Sequence, residues 1–160
     1  MMAMNSAARS RHEPPAAATS PLVPGCTCLA LRKAARRVST IYDQCLEPYG
    51  LTITQFGLLV HLRRHGPVGI GAMAQQLIMD PTTLSRNLRP LERQRCVRFE
   101  QDPQDRRARR VQLTDEGAAA LRRARPGWER AQQQIERSLG LADTVLLHRS
   151  LATTLEQLAS

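Results

Sequence analysis

Thr82, Arg86, Arg89 and Arg93 are spaced so that, on a helix, they fall within about 60° of one another. Thr83 and Pro90 flank that stripe on one side and Ser85 on the other, while Leu84, Leu88 and Leu91 share the opposite face. A guanidinium is planar, permanently charged and able to clamp a phosphate or the edge of guanine with two bonds, and hydroxyls reach either group. A solubilising helix face normally mixes the two signs of charge; this stripe holds no acid. Segment 81–110 contains nine Arg (86, 89, 93, 95, 98, 106, 107, 109, 110) and four acids (Glu92, Glu100, Asp102, Asp105), a net +5 of the chain's +9 in under a fifth of its length. The pattern points to a helix that reads double-stranded DNA in the major groove, with Thr82, Thr83, Ser85, Arg86 and Arg89 as its contacts.

A second cluster follows at Asp102-Pro103-Gln104-Asp105-Arg106-Arg107. The proline and the aspartates account for a turn, but not for the arginines beside Asp105. An arginine at a projecting tip suits the narrow, electronegative minor groove, with a neighbouring carboxylate holding its orientation. Asp105, Arg106 and Arg107 therefore join the expected DNA contacts.

Other chemistry is thinner. Cys26 and Cys28 form a C-x-C at a helix start, where the positive dipole end favours a thiolate; these are candidate sensor thiols for oxidation or for a thiophilic metal or metalloid. The pair cannot complete a four-ligand zinc site, and Cys45, 17 residues on, is about 25 Å away along a straight helix. Cys96 reads as core. His61 and His65 are four apart, but no Glu follows His61, so the zinc-protease pattern is missing and a solvent-facing pair is expected. Trp128, Tyr42 and Tyr49 read first as packing, and second as the lining of a ligand pocket between two parts of the molecule. No acid–base or nucleophile–base constellation is convincing, so the chain is not expected to be an enzyme, and nothing calls for a cofactor or a bound metal.

These residues must be carried by helices. The 160 residues include 22 Arg and one Lys (Lys33), with 42% hydrophobic and only 3% aromatic side chains, a Leu- and Ala-rich balance typical of packed helices. No apolar run approaches the roughly 18–20 residues of a membrane span. Residues 1–25, with four of the ten prolines and six alanines, read as a disordered N-terminal arm; the absence of a secretory signal pattern leads to a cytoplasmic protein with reduced thiols. From Cys26 an apolar stripe (Leu31, Ala34, Ala35, Val38, Ile41, Tyr42, Cys45, Leu46, Tyr49) marks a first helix that Pro48 and Gly50 end. Thr52-Ile53-Thr54-Gln55 is a capping box opening a second helix to about His65, where Gly66-Pro67 stops it. A short helix spans Gly71–Ile78, burying Ile70, Met73, Ala74 and Leu77. Asp80 caps the arginine helix, with Pro81 at its first position and an end near Gln94. Alternation at Val97/Phe99 and Val111/Leu113 gives a two-stranded hairpin. A long helix from Thr114 towards Ser138, kinked at Pro126, and a last one carrying Leu141, Val145, Leu147, Leu151, Leu155 and Leu158 complete the chain.

The fold class is mainly α with a small β-hairpin wing: a winged helix-turn-helix with a helical dimerisation region. The chain resembles the MarR family of transcriptional regulators in Leu51–Leu59 (LTITQFGLL), Asp80–Glu92 (DPTTLSRNLRPLE) and Asp102–Gly117 (DPQDRRARRVQLTDEG), and in helix order over residues 28–158. It departs from the family at Arg95, where Gly is common. The resemblance implies one domain over 26–160, with the winged helix-turn-helix at about 51–113 and dimerisation helices at about 26–49 and 114–160. It also implies a homodimer on a palindromic operator, with Arg107 oriented by Asp105 in the minor groove, repressing transcription until a small-molecule effector or cysteine oxidation releases it. Independently, the outer helices carry more apolar face than a winged helix of about 70 residues needs, which argues for a two-fold partner. Two rivals stand beside this reading: a thiol-based redox or metal/metalloid function of Cys26 and Cys28, and a winged-helix module that binds protein rather than DNA.

Overall fold

The computed structural model describes residues 25–103 and 109–159. Asp105, Arg106, Arg107 and the arm other than Gly25 lie outside them. The elements run α1 (Thr27–Leu46), a 3-10 turn (Glu47–Tyr49), α2 (Ile53–His65), β1 (Val68–Gly69), α3 (Ile70–Gln76), α4 (Pro81–Arg93), β2 (Val97–Gln101), β3 (Arg109–Leu113), α5 (Asp115–Leu139) and α6 (Leu141–Gln157). This is the mainly helical, winged arrangement expected.

The local signals act as their chemistry dictates. Thr52 accepts from the Gln55 backbone N–H at 3.2 Å, and the Gln55 side chain accepts from the Thr52 N–H at 3.0 Å, the reciprocal bonds of a capping box. Asp43 of α1 adds a carboxylate to the same helix start, accepting from the Ile53 N–H at 2.7 Å. Thr114 caps α5 by accepting from Gly117 N–H at 3.0 Å, and its hydroxyl donates to the Arg95 carbonyl at 2.6 Å. Gly117 is required there, because a Cβ would stand 2.1 Å from the Cys96 carbonyl oxygen. Gly127 is required in the same way where α5 crosses α1, 2.5 Å from the Cys45 carbonyl oxygen and 2.6 Å from the Tyr49 ring. Pro126 sits inside α5, which runs through it without a break in helical assignment.

The structure corrects several sequence expectations. The wing is not only a hairpin: among the described residues, β1 joins it to give an antiparallel sheet in the order β1-β3-β2, with Val68 opposite Val111 and Phe99 opposite Val111 on the other side. The short helix is Ile70–Gln76 rather than 71–78, and of its four expected buried residues Met73 and Ala74 are buried while Ile70 and Leu77 are half-buried. It stops early because Ile78 takes φ 51°, the left-handed region, which ends a helix. The first α-helix stops at Leu46 and only a 3-10 turn continues to Tyr49.

The core lies where α2, α4, the sheet and the C-terminal half of α1 meet α5. Leu46, Leu58, Leu59, Leu62, Met73, Leu84, Leu88, Leu91, Val97 and Val111 are its fully buried large side chains. Burying each such side chain is worth about 1.5–3 kcal/mol before the entropy of ordering it. By contrast, the first half of α1 and nearly all of α6 are exposed; Thr144 is the buried residue of α6, and Leu141, Val145, Leu146, Leu147, Leu151 and Leu155 are exposed. Among the described residues no helix is long and apolar enough to cross a membrane.

Candidate nucleic-acid interface

Asp80 begins α4 as a side-chain cap, accepting from the Thr83 N–H at 2.9 Å, and Pro81 occupies the first turn, where a missing N–H costs nothing. The apolar face of the helix is entirely consumed: Leu84, Leu88 and Leu91 are fully buried. That fixes the roll of the helix. Thr82, Thr83, Arg86, Arg89 and Arg93 are consequently exposed on the opposite side and Ser85 is half-buried beside them. Asn87 turns its side chain back onto its own helix, donating to the Thr83 carbonyl at 2.9 Å.

The stripe is not uniform. Ser85 and Arg89 face a cleft of about 260 Å³ between α4 and the sheet, which Ile70, Glu92, Phe99 and Arg109 complete. Thr82, Thr83 and Arg86 are exposed but are not among the residues that line it. The wing carries its own order: Arg98 donates twice to the Gln112 side chain, at 3.2 and 2.9 Å, and pairs with Glu100 at 2.7 Å. Arg110 donates to the Pro67 carbonyl at 2.6 Å and lies 3.9 Å from Asp102, tying the sheet to the end of α2. Arg109, which the sequence reading did not single out, stacks over the Phe99 ring at 4.8 Å.

A second cavity, of about 700 Å³, opens between α2 and α5. Its walls are apolar (Ile53, Phe56, Val60, Leu121, Trp128) and cationic (Arg63, Arg64, Arg122, Arg125), with Glu129 bound to Arg125 at 2.7 Å. Phe56 and Trp128 are stacked, their centroids 6.3 Å apart and their planes 12° from parallel. Of the three aromatic residues weighed from sequence, Trp128 lines this cavity. Tyr42 is buried behind it, 6.4 Å from the Trp128 ring, and Tyr49 packs on α5 at Gly127. The Tyr42 hydroxyl donates to Gln132, whose amide donates to Glu136 at 3.0 Å. Burial, and then the Glu136 carboxylate, push the Tyr42 phenol above its ordinary range.

Cys26 and Cys28 are exposed at the start of α1, Cys45 is half-buried and Cys96 buried; all four are free thiols. Burial raises the Cys96 thiol, with Arg123 opposing and Glu116 adding, which makes it a poor nucleophile. The histidine pair was expected to face solvent, and His65 does, but His61 is half-buried and its ring bonds the Gln76 side chain at 2.9 Å, linking α2 to α3. Among the described residues no group of three or more His, Cys, Asp or Glu is placed to hold a metal ion.

Residues 51–108 match the model of the MarR family. Over 83% of this chain and 96% of the other, the fold superposes on the M. tuberculosis transcriptional regulator MosR, solved in complex with DNA, with a TM-score of 0.73 and 34% sequence identity. BpsR of Bordetella bronchiseptica, whose DNA binding is regulated by 6-hydroxynicotinic acid, matches with a TM-score of 0.70 and 27% identity over 79% of this chain and 96% of that one. The transcriptional repressor NicR of Pseudomonas putida is 36% identical over 57% of this chain, a stretch that spans 58% of NicR.

Proposed function

The chain belongs to the MarR family of DNA-binding transcriptional regulators, and on that premise we propose that it is a homodimeric repressor that a small aromatic anion releases from its operator. The observation that carries the DNA-reading part is the roll of α4, fixed by three fully buried leucines so that its hydroxyls and guanidiniums face outward without an acid among Thr82, Arg86, Arg89 and Arg93. Thr82, Thr83, Ser85, Arg86 and Arg89 enter the major groove. Asp105, Arg106 and Arg107, outside the described residues, enter the minor groove. Phosphate neutralisation supplies affinity and base contacts supply sequence preference.

Support for the dimer comes from the unpartnered leucines of α6 and the exposed first half of α1. In this division, residues of about 51–113 read DNA and the helices of about 26–49 and 114–160 pair two chains across a palindrome. The recognition helices then sit about 34–36 Å apart, one turn of duplex. A DNA regulator of this kind acts in the cytoplasm.

The cavity between α2 and α5 is the proposed effector site. The Phe56–Trp128 stack offers an aromatic wall, and Arg63, Arg64 and Arg122, beside the Arg125–Glu129 pair, offer partners to a carboxylate, while about 700 Å³ suits a small molecule. The regulation of BpsR by 6-hydroxynicotinic acid supports the same class of ligand. Trp128 is the sole tryptophan, so its fluorescence reports occupancy directly. The test is an anisotropy titration of the DNA upstream of the chain's own gene at several salt concentrations, with thiols reduced. Arg86→Ala should cost about 1–3 kcal/mol of operator binding, and an aromatic carboxylate should quench Trp128 and weaken DNA binding together. Release by hydroperoxide or a thiophilic metal, abolished by Cys26→Ser/Cys28→Ser, would instead favour a thiol sensor. Indifference of operator binding to Arg86→Ala would sink the proposed role of α4.

A further inference from the structure

A helix in the major groove and a wing in the adjacent minor groove are separated by one sugar–phosphate strand. On the proposed placement of α4 and the wing, that strand passes over the gap between α4 and the sheet, which is the cleft of Ser85, Arg89, Glu92, Phe99 and Arg109. We infer that this cleft seats a single backbone phosphate, gripped by Arg109 and Arg89 with the Ser85 hydroxyl as a third donor. The inference rests on the proposed placement of α4 and assigns a different task to part of its stripe.

Three observations converge. The cleft's two guanidiniums and one carboxylate leave a net charge of +1, suited to one phosphodiester. Its volume, about 260 Å³, falls below the usual range for a small-molecule pocket. Finally, Arg109 is held in place before any ligand arrives: its guanidinium lies 4.8 Å from the Phe99 ring, and Phe99 is paired with Val111 and half-buried against the core. An aromatic face restrains the guanidinium and leaves its N–H edge available to an oxygen. On α4, Ser85 and Arg89 are one turn apart, on the same edge as Glu92 and turned towards the sheet. The reading stripe therefore divides into a base-facing edge of Thr82, Thr83 and Arg86 and a strand-facing edge of Ser85 and Arg89.

The experiment uses the full chain and a duplex enriched from random sequence by the wild type. Arg109→Gln should weaken binding about tenfold and reduce the slope of log affinity against log salt by about one per protomer, close to the value for one phosphate contact. The preference for the enriched duplex over a scrambled one should stay unchanged, whereas Arg86→Ala erodes it. Phe99→Leu keeps an apolar strand residue and should give a smaller loss of the same kind. Methylphosphonate replacement of that phosphate in each half-site should weaken the wild type and cost Arg109→Gln clearly less, because only Arg89 and Ser85 remain to lose it; an equal loss in both would overturn the role of Arg109. An unchanged salt slope in an Arg109→Gln chain with wild-type circular dichroism would overturn the assignment, as would an altered base preference. Absence of any salt-dependent binding by the wild type would overturn the α4 reading itself, and this inference with it.

Discussion

The winged half of the molecule and its α6 end spend their leucines in opposite ways. In α4, Leu84, Leu88 and Leu91 are fully buried; in α6, Leu141, Leu146 and Leu155 are more than half exposed although they belong to an equally regular helix. The reading head is finished by its own chain. Helix α6 keeps its apolar side in water, where a helix gains little from folding, and the proposed dimer is what would cover it. On the proposed dimer, stability and assembly rest on different segments and should respond to different mutations.

The largest effect should come from the finished half. Leu88→Ala opens a cavity in a closed core and should cost about 2–5 kcal/mol in denaturant unfolding, with a shift that is independent of protein concentration. Next comes α6, where Leu151→Glu with Leu155→Glu should raise the dimer dissociation constant about 100-fold or more, about 2.7 kcal/mol, in sedimentation equilibrium. The winged half should stay folded by circular dichroism. A loss of the winged fold in that variant would break the contrast drawn above. The smallest effect has the opposite sign: Ile78→Gly should raise stability by about 1 kcal/mol, because a β-branched residue at φ 51° carries a left-handed backbone penalty. Arg95→Gly, at φ 59°, should act alike. Differential scanning calorimetry measures both.

Much of this was legible along the chain. The capping box at Thr52, the Asp80-Pro81 start, the face of α4 and the core place of Cys96 are local signals, each set within a turn or two of helix. What escaped was non-local. Val68–Gly69 is too short, and too close to Pro67, to announce a strand; it exists because Val111 offers it a ladder. The left-handed turn at Ile78 is hidden by a residue type that normally avoids it, whereas the one at Arg95 was signalled by the glycine common there in the family. The cavity walls come from α2 and α5, over fifty residues apart in sequence. Arg109 lay in plain sight on the same strand face as Val111, but only the sheet register sets it beside Phe99.

Pro126 gives α5 a mechanical character. Proline supplies no N–H to the carbonyl four residues back, so one rung of the helical ladder, at Arg122 on the cavity wall, is missing. Gly127 follows, with no side chain to stiffen the turn. Bending compliance in a 25-residue rod is thus concentrated beside Trp128 rather than spread along it. From that flexure to Asp115 is twelve residues, about 18 Å of helix, so a bend of about 3° displaces the far end by about 1 Å. The far end is the one bonded through Thr114 to the Arg95 carbonyl, in the turn between α4 and β2. At the proposed effector site, a molecule settling against Trp128 would work the short side of a lever whose long side carries the wing.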